Sequence, residues 1–414
     1  MASKYQAPRG TFDVLPEQAR SRRRLERAAA EVFGRAGYEP IATPVFEDTD
    51  LFERGVGQST DIVRKEMFTF EDKGGRSLTL RPEGTASICR AYLEHGMQKL
   101  AQPVKLFYLG PFFRHERPQA GRYRQFHQLG IECIGTDSPL ADAEVIMLLS
   151  ELLGELGVPG VELRLGSLGS FEARRAYLED LKAHLHAHEG ELSKDVRERI
   201  DINPLRAFDS DDEGTRGVMA SAPTIVDQLE GEDAEHFAEV RALLDAAGVS
   251  YAVDPTLVRG LDYYTRTIFS FVCDRLGAQS EIGGGGRYDG LIEQLGGQPT
   301  PAVGFAAGIE RILLALDEEV PAEGCDAFVA IADESRRQQA MTLTAQLRQA
   351  GVSAEVDLAG RGLKGQFKHA NRIGARRVLI LEADGSAQLR DMETGEQRAA
   401  DPGNLVEEMK GGDS

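Results

Sequence analysis

The chain contains 414 residues, of which 41% are hydrophobic and 28% are charged, and it carries a formal net charge of −19. This length and apolar content predict two or three domains with separate cores. No apolar run approaches the roughly 20 residues of a membrane span, and the acidity disfavours nonspecific nucleic-acid binding without excluding a local basic surface.

The cysteines indicate the cellular compartment. They are widely scattered, at Cys89, Cys133, Cys273 and Cys325, and they include no CxxC pair. This spacing suggests neither a zinc site nor a disulfide framework, and it favours a reducing cytosol. Because residues 1–18 also contain no hydrophobic signal core, we expect a soluble cytoplasmic protein.

The N-terminal segments alternate between helix and strand. Residues 17–40 have apolar positions at helical spacing and predict an amphipathic helix, whereas residues 41–52 are strand-like. Residues 66–82 alternate around a turn at 73–75 and predict a hairpin, after which a helix begins near residue 83.

A basic segment follows at residues 107–135, where two predicted strands flank a loop. The segment contains Arg114, His115, Arg117, Arg122, Arg124 and His127. Alternation along the second strand gives an apolar face with Leu129, Ile131 and Cys133. The opposite face carries Arg124, Phe126, Gln128, Gly130 and Glu132. The segment predicts an anionic ligand, although a polar face that only meets water fits an isolated hairpin equally well.

Residues 170–245 are charged and helical, and they predict an inserted helical module. His184, His186 and His188 within it could suggest a metal site. Helical residues two apart do not face together, so solvated surface is the favoured interpretation.

Strand and glycine-rich loop are predicted for residues 257–297. A helix is predicted to end the large domain. Its apolar stripe consists of Ile309, Ile312, Leu313 and Leu316, and Arg311 lies outside this stripe. Residues 317–324 are typical of a linker. From residue 325, strands alternate with helices, which predicts a small α/β unit with a mostly parallel sheet.

Arginines in three separate segments suit a polyphosphate, because guanidinium groups bind phosphate oxygens bidentately. They are Arg114, Arg259 and Arg311. The chain has no GxxxxGK[ST] pattern, and the GGGGR stretch at 283–287 is not a dinucleotide-binding fingerprint. A nucleotide site would therefore be of another kind.

Three segments in order resemble the motifs of class II aminoacyl-tRNA synthetases. YEPIATPVFE lies where motif one would be, FFRHE with RQFHQLGIECIG is similar to motif two, and GFAAGIER is similar to motif three. LVRGLDYYTRTIF and GGGRYDGL resemble the two signature segments of the histidyl-tRNA synthetase family, and LRPEGT agrees with it. The resemblance covers nearly the whole chain.

This resemblance implies an α+β catalytic domain at residues 1–322, with an antiparallel sheet flanked by helices and the insertion at about 170–245. It implies a C-terminal α/β anticodon-binding domain at residues 323–414. The implied activity is that of a histidine–tRNA ligase, which forms histidyl-adenylate from histidine and ATP and then charges histidine tRNA. A homodimer is also implied, because motif one builds a two-fold interface in the family.

The ATP site follows from the same resemblance. Arg114 would contact the α-phosphate, with Arg259 across from it where other class II enzymes often use a metal. Arg311 would hold the γ-phosphate, Glu116 would contact the adenine amino edge, and Phe126 would stack on the adenine. Magnesium is expected on the β- and γ-phosphates, without assigned protein ligands. No general base is needed, because the attacking carboxylate is already ionised.

The implied histidine pocket is equally specific. The α-amino group would be surrounded by Glu83, Gly84, Thr85 and Gln128. The imidazole nitrogens would be read by Glu132 and Tyr264, with Tyr263 in the same wall. Glycines at 283–286 would let the backbone approach the imidazole, whereas Arg287 is assigned no chemical role. Such a polar pocket discriminates against analogues that lack a hydrogen-bonding partner by a factor of about 10⁴ to 10⁵, so no editing domain is required.

A short basic run marks the C-terminal unit as the tRNA-binding candidate. The predicted contacts are Lys364, Lys368 and Arg372, and the run also includes Arg361, Arg376 and Arg377. Charge runs are usually solvated faces, but in an acidic chain this one predicts a local RNA footprint. The resemblance further implies that the insertion clamps the acceptor arm of the tRNA.

Other interpretations stay open. The nearest is the noncatalytic regulatory paralogue of ATP phosphoribosyltransferase in histidine biosynthesis, which typically lacks the anticodon domain and degrades the VRGLDYY segment. A synthetase for proline, threonine or glycine would lack the paired tyrosines, and an RNA-binding module would not need the three arginines. Arg259 could also form a structural ion pair with Asp262.

Overall fold

The structure is a computed structural model that describes residues 5–57, 60–318, 320–401 and 403–410. The chain divides into two compact units, Met1–Glu319 and Val320–Ser414. Each unit has its own sheet and its own apolar core. Within the described ranges, no helix is both long enough and apolar enough to cross a membrane.

The first unit contains a large and a small sheet. Its strands are β1 (Glu39–Pro40), β2 (Phe46–Asp48), β3 (Phe68–Glu71), β4 (Ser77–Leu80), β5 (Val104–Phe113), β6 (Gln125–Ile134), β7 (Val161–Ser167), β8 (Ala252–Val253), β9 (Thr265–Cys273), β10 (Glu281–Arg287) and β11 (Ala302–Gly308). Its α-helices are α1 (Pro16–Arg35), α2 (Thr49–Val56), α3 (Thr85–Glu94), α4 (Pro139–Leu156), α5 (Phe171–Ala187), α6 (Lys194–Arg197), α7 (Glu213–Met219), α8 (Gly231–Ala246), α9 (Leu291–Gln294) and α10 (Ile309–Leu316).

The large sheet has the strand order β1-β5-β6-β11-β10-β9-β7-β8. All pairings from β5 to β7 are antiparallel, and the edge strands β1 and β8 run parallel to their neighbours. Apolar side chains of α1, α4, α8 and α10 share one core with Leu129, Ile131 and Cys133. The predicted antiparallel sheet flanked by helices and the predicted alternation along β6 are therefore confirmed.

The glycine-rich stretch forms strand β10 in the middle of this sheet, so the prediction of a loop was wrong. Glycine weakens an isolated strand, but the neighbours here leave no room for side chains. A methyl group at Gly283 would lie 2.6 Å from Ala307 Cβ, and one at Gly284 would lie 2.7 Å from Arg259 Nη1. Tertiary packing therefore overrides the local preference.

The strand predicted for residues 41–52 forms only in part, because residues 41–45 are irregular and a helix begins at Thr49. Only Phe46–Asp48 pairs as a strand in the small sheet, whose order is β2-β4-β3. Helix α2 begins at Thr49, and its Phe52 and Val56 are buried with Ile62 in a separate small core. The spacing of four residues between these two side chains suits a helix face.

The chain between β7 and β8 contains α5 to α8 and has a core of its own. Tyr177, Leu181 and Leu185 of α5 pack there with Val196 and Val218. The last helix, α8, also contributes to the main core through Phe237 and Val240. The helical prediction for this region is confirmed.

The histidines His184 and His186 of α5, and His188 directly after it, bond to separate partners. His184 Nε2 lies 3.1 Å from the Val218 carbonyl oxygen, and His186 Nε2 lies 3.2 Å from Asp201 Oδ1. His188 Nδ1 lies 2.9 Å from the His184 carbonyl oxygen. In the part of the chain that the structure describes, no group of three or more His, Cys, Asp or Glu residues could hold a metal ion.

The second unit is an α/β unit with the sheet order β13-β12-β14-β15-β16. Its strands are β12 (Ala327–Ile331), β13 (Ala354–Val356), β14 (Arg377–Leu381), β15 (Ala387–Asp391) and β16 (Gln397–Ala400). Its helices are α11 (Arg337–Gln349), α12 (Leu363–Arg372) and α13 (Leu405–Lys410). The pairings of β12 with β13 and β14 are parallel, but those of β15 with both neighbours are antiparallel. The prediction of a mostly parallel sheet is thus correct for β12 to β14 only, because short turns join the later strands as hairpins.

Candidate active site

A cavity opens on the large sheet. Its floor includes Phe126 and Gln128, which alternate along β6 with the core residue Leu129. The predicted ATP-binding and histidine-binding residues that line it are Glu83, Gly84, Thr85, Arg114, Glu116, Phe126, Gln128, Arg259, Tyr263, Tyr264 and Arg311. The fold therefore brings together residues that lie in widely separated segments of the sequence.

Glu132 is fully buried and bonded to residues of the cavity wall. Thr85 Oγ1 donates to its Oε1 at 2.8 Å, and the Tyr288 hydroxyl donates to its Oε2 at 2.5 Å. Burial raises the pKa of Glu132 to about 8, although both hydrogen bonds oppose this rise. A methyl group at Gly304, the cross-strand neighbour on β11, would overlap the carboxylate. Glycine at this register position therefore makes room for Glu132.

Glu83 is held at the beginning of α3. Its carboxylate accepts hydrogen bonds from the backbone N–H of Thr85 at 2.8 Å and of Ala86 at 2.9 Å. Burial raises the pKa of Glu83, whereas these two donors lower it. The helix N-terminus thus orients a carboxylate toward the cavity and partly compensates its charge.

Gln128 presents an unsatisfied acceptor to this end of the cavity. Its Oε1 is buried and has no hydrogen-bond partner within the described chain. Buried polar atoms are nearly always paired, so an orphan in a cavity wall indicates that a ligand supplies the partner. The residues Glu83, Gln128 and Glu132 together make this end suitable for a ligand with several N–H donors.

Arg114 and Arg311 also line the cavity, and each is anchored by a backbone carbonyl group. Arg114 Nε donates to the Pro82 carbonyl at 2.9 Å, and its guanidinium lies 5.3 Å from the centre of the Phe126 ring. Arg311 Nε donates to the Gly121 carbonyl at 2.9 Å. Burial lowers the pKa of both arginines, but guanidinium groups remain protonated at neutral pH. The part of the cavity that these two residues line is therefore cationic.

Arg259 also lines the cavity and pairs with Glu281. Burial lowers the pKa of Arg259, but the charge of Glu281 outweighs this effect and the net shift is upward. The observed partner is thus Glu281 of β10, rather than the Asp262 that we considered from the sequence. Arg311 Nη1 also donates to the Glu281 backbone oxygen at 2.7 Å.

Part of the predicted cationic cluster is already neutralised by carboxylates. Arg122 pairs with Glu116, and His127 Nδ1 lies 2.8 Å from Glu310 Oε1. Two of the six basic residues of this segment therefore already have acidic partners, Arg122 from the same loop and His127 from α10. The acidic partner on α10 is distant in sequence, and local spacing does not reveal it.

Arg287 lies in a buried ionic cluster and not in the cavity lining. Its Nε donates to Asp142 Oδ1 at 3.1 Å, and His236 Nε2 lies 2.6 Å from Asp142 Oδ2. This cluster joins β10 to α4 and α8. The next residue after Arg287 is Tyr288, so the cluster supports the backbone that carries the Glu132 donor.

Sequence reasoning missed Glu281, Tyr288 and Tyr108 as cavity residues. Glu281 lies two residues before the glycine run, and Tyr288 directly follows Arg287, so both could have been found by extending the alternation through that run. Tyr108 shares an apolar face of β5 with Leu106 and Phe112 by alternation, so nothing in the local pattern distinguishes it from a core tyrosine.

The predicted tRNA contacts belong to the second unit. Lys364, Lys368 and Arg372 are exposed along α12 at successive spacings of four residues. This spacing places the three cations on one face of the helix. They form a basic strip on the surface of that unit.

Comparisons with known proteins cover both units. A family model described as "Histidyl-tRNA synthetase" matches residues 10–312, and one described as "Anticodon binding domain" matches residues 326–411. The chain is 48% identical over 412 residues to the histidine–tRNA ligase of Halothermothrix orenii, covering 98% of each chain. It is 47% identical to that of Rubrobacter xylanophilus, covering 96% of this chain and 97% of the relative.

Solved structures give the same result. The apo histidyl-tRNA synthetase of S. aureus is similar with a TM-score of 0.83 at 37% identity, covering 98% of this chain and 100% of that chain. A structure described as an ATP phosphoribosyltransferase regulatory subunit/histidyl-tRNA synthetase from Bacillus halodurans C has a TM-score of 0.67 at 25% identity. It covers 92% of this chain and 99% of that chain.

Proposed function

Because the chain belongs to the histidyl-tRNA synthetase family, it joins histidine to tRNA, and we propose that the cavity of the first unit activates the amino acid with ATP. The observation that carries this assignment is the polarity of the cavity. Arg114, Arg259 and Arg311 line one part of it, and Glu83 with Gln128 lines another. A polyphosphate and an amino acid can therefore bind side by side.

At the cationic end, Arg114 and Arg259 bind the α-phosphate from opposite sides, and Arg311 binds the γ-phosphate. Glu116 contacts the adenine amino edge, while Phe126 stacks on the adenine. Magnesium bound with ATP would neutralise part of the phosphate charge, beside the three arginines. The histidine carboxylate attacks the α-phosphorus and pyrophosphate leaves. The two arginines stabilise the negative charge that grows on the nonbridging oxygens.

At the other end, the α-ammonium group donates to Gln128 Oε1 and approaches Glu83, Gly84 and Thr85. Glu132 and Tyr264 pair with the two imidazole nitrogens, and Tyr263 completes the wall. Thr85 and Tyr288 hold the Glu132 carboxylate by donating to one oxygen each. A substrate that lacks either imidazole nitrogen would leave Glu132 or Tyr264 unpaired. The free-energy cost of this unpaired buried group provides the specificity.

The second unit binds the anticodon region of histidine tRNA. The support is its match to an anticodon-binding family and the strip of Lys364, Lys368 and Arg372. Cations at this spacing follow a phosphate backbone. The α5–α8 segment contacts the acceptor arm, and the enzyme works in the cytoplasm.

The active form is a homodimer. Phe46 and Phe70 of the small sheet are 49% and 44% exposed, and their rings lie 6.2 Å apart. Phe46 belongs to the segment that resembles motif one. Neighbouring exposed aromatic residues are typical of a surface that a partner covers, and two-fold dimers are the commonest assembly.

The test of the catalytic assignment is ATP–pyrophosphate exchange, measured with each of the twenty amino acids in turn. We expect exchange with histidine alone. If histidine binds but no amino acid supports exchange, the protein is instead a regulatory paralogue of the kind named in the 25% identical structure. Exchange with a different amino acid would overturn the proposal that Glu132 and Tyr264 recognise the imidazole of histidine.

A further inference from the structure

Tyr108 of β5 has a buried hydroxyl with no hydrogen-bond partner in the described part of the chain. The residue is 6% exposed and lines the cavity. Burying an unpaired hydroxyl is unfavourable, and phenylalanine would fill the same space without that penalty. The hydroxyl therefore needs an explanation beyond packing.

Two glycines create the space for this phenol ring. A methyl group at Gly130, the cross-strand neighbour on β6, would overlap the hydroxyl. A methyl group at Gly84 would lie 2.9 Å from Tyr108 Cζ and 3.1 Å from its hydroxyl oxygen. The ring also packs edge-on against Phe112, with ring centres 5.9 Å apart. The hydroxyl is thus held between β6 and the beginning of α3.

The position of the hydroxyl relates it to the end of the cavity that we assign to the α-amino group. Gly84 lies between Glu83 and Thr85 in sequence, and Gly130 lies between Gln128 and Glu132 along one face of β6. Gln128 Oε1 is a second buried acceptor without a partner in the same wall. Two unpaired acceptors beside a carboxylate match a group that has several donors and a positive charge.

The imidazole and the α-ammonium group of histidine differ in how many N–H donors they carry. A neutral imidazole has one N–H donor, and Glu132 is available to accept from it. The α-ammonium group has three N–H donors, which require three acceptors. Gln128, Glu83 and Thr85 offer acceptor oxygens in the cavity wall, and the unpaired Tyr108 hydroxyl adds a further acceptor beside them.

We propose that Tyr108 is a further substrate-binding residue, whose hydroxyl accepts a hydrogen bond from the α-ammonium group of histidine. The inference rests on the proposed function of the cavity and extends it to a residue outside the motifs that resemble the family's signatures. Tyr108 thereby selects for an α-amino acid, whereas Glu132 and Tyr264 select for the imidazole.

The test uses the full-length Tyr108→Phe variant and isothermal calorimetry. We expect histidine to bind at least about tenfold more weakly, because a buried hydrogen bond to a charged group is lost. Imidazolepropionate, which lacks the α-amine, is measured by competition. Its affinity for the variant should stay within about twofold of its affinity for the parent protein. The matched control is Tyr38→Phe, whose buried hydroxyl donates to Glu144 at 3.2 Å outside the cavity.

Unchanged histidine affinity in Tyr108→Phe would overturn the proposal. Equal losses for histidine and imidazolepropionate would also overturn it, because Tyr108 would then contact another part of the ligand. Because calorimetry requires no turnover, these results are independent of whether histidine supports ATP–pyrophosphate exchange.

Stability provides a second measurement. An unpaired hydroxyl contributes nothing to the folded state, so Tyr108→Phe should melt at or above the temperature of the parent protein. Tyr38→Phe should melt below it, because a buried hydrogen bond is lost. A loss in Tyr108→Phe as large as that in Tyr38→Phe would mean that the hydroxyl is already paired within the protein, and the proposal would fail.

Discussion

Arg259 and Glu281 form an ion pair across the cavity, from the segment before β9 to the first residue of β10. The guanidinium that we assign to the α-phosphate therefore has a carboxylate partner in the protein itself. The pair orients Arg259, because a long side chain with one partner samples fewer rotamers. It also means that Glu281 and the phosphate compete for the same cation.

Replacement of Arg259 by histidine should impair chemistry far more than binding. The negative charge that Arg259 stabilises grows mainly in the transition state, so we expect the rate of adenylate formation to fall by about 100-fold or more. The dissociation constant for histidine should change by less than about threefold. Rapid-quench kinetics and calorimetry measure the two quantities. Arg241→His, on the surface of α8, is the control, and equal losses in both quantities would contradict the assigned role.

Glu132 should make stability depend on pH. Its pKa is raised from 4.5 to about 8, mainly by burial. Between these values the folded state keeps a proton that the unfolded state releases, so stability falls as pH rises, by up to about 1.4 kcal/mol per pH unit. Glu132→Gln removes this dependence. The free energy of unfolding of Glu132→Gln, relative to that of the parent protein, should therefore increase as the pH rises from 5 to 8.

Denaturant unfolding at three pH values within that range measures this difference. The exposed Glu179→Gln variant is the control and should follow the parent protein. A difference between Glu132→Gln and the parent that stays constant with pH would show that Glu132 is ionised throughout.

The small sheet should determine the oligomeric state. Phe46→Asp places a charge on the surface that we assign to the dimer interface, so sedimentation at micromolar concentration should give half the mass of the parent protein. Leu140→Asp, at a residue 61% exposed elsewhere, should leave the mass unchanged. A parent protein that is already monomeric would refute the proposed homodimer.

The strip on α12 should matter for tRNA but not for ATP. Simultaneous replacement of Lys364, Lys368 and Arg372 by alanine removes three phosphate contacts, so KM for histidine tRNA should rise by about tenfold or more. The number of counterions released on tRNA binding, measured from the salt dependence of the affinity, should fall by about two to three. ATP–pyrophosphate exchange should not change.

The charge-matched control for that experiment replaces three arginines elsewhere on the second unit. These are Arg337, Arg348 and Arg398. An equal rise in KM for both triple variants would indicate a general charge effect and would refute a specific footprint on α12.

Local patterns in the sequence were enough to identify the family and much of the cavity. Alternation along β6 predicts which side chains face the core and which face the ligand, because successive strand residues point to opposite sides. Each of the motifs around Arg114, Arg259 and Arg311 can also be identified from its own local sequence, so the distance between the segments along the chain does not matter. The antiparallel class and the α/β character of the second unit followed from the same information.

Only the tertiary structure decided which distant residues become partners. Glu310 bonds to His127, Glu281 pairs with Arg259, and Tyr288 donates to Glu132. These pairs depend on strand register and on the packing of α10, and neither has a local sequence signal. The glycines of β10 illustrate the same limit: alone they favour a loop, but the space available between β9 and β11 makes them a strand. Periodicity sets which face a side chain occupies, whereas the register between strands sets what it meets.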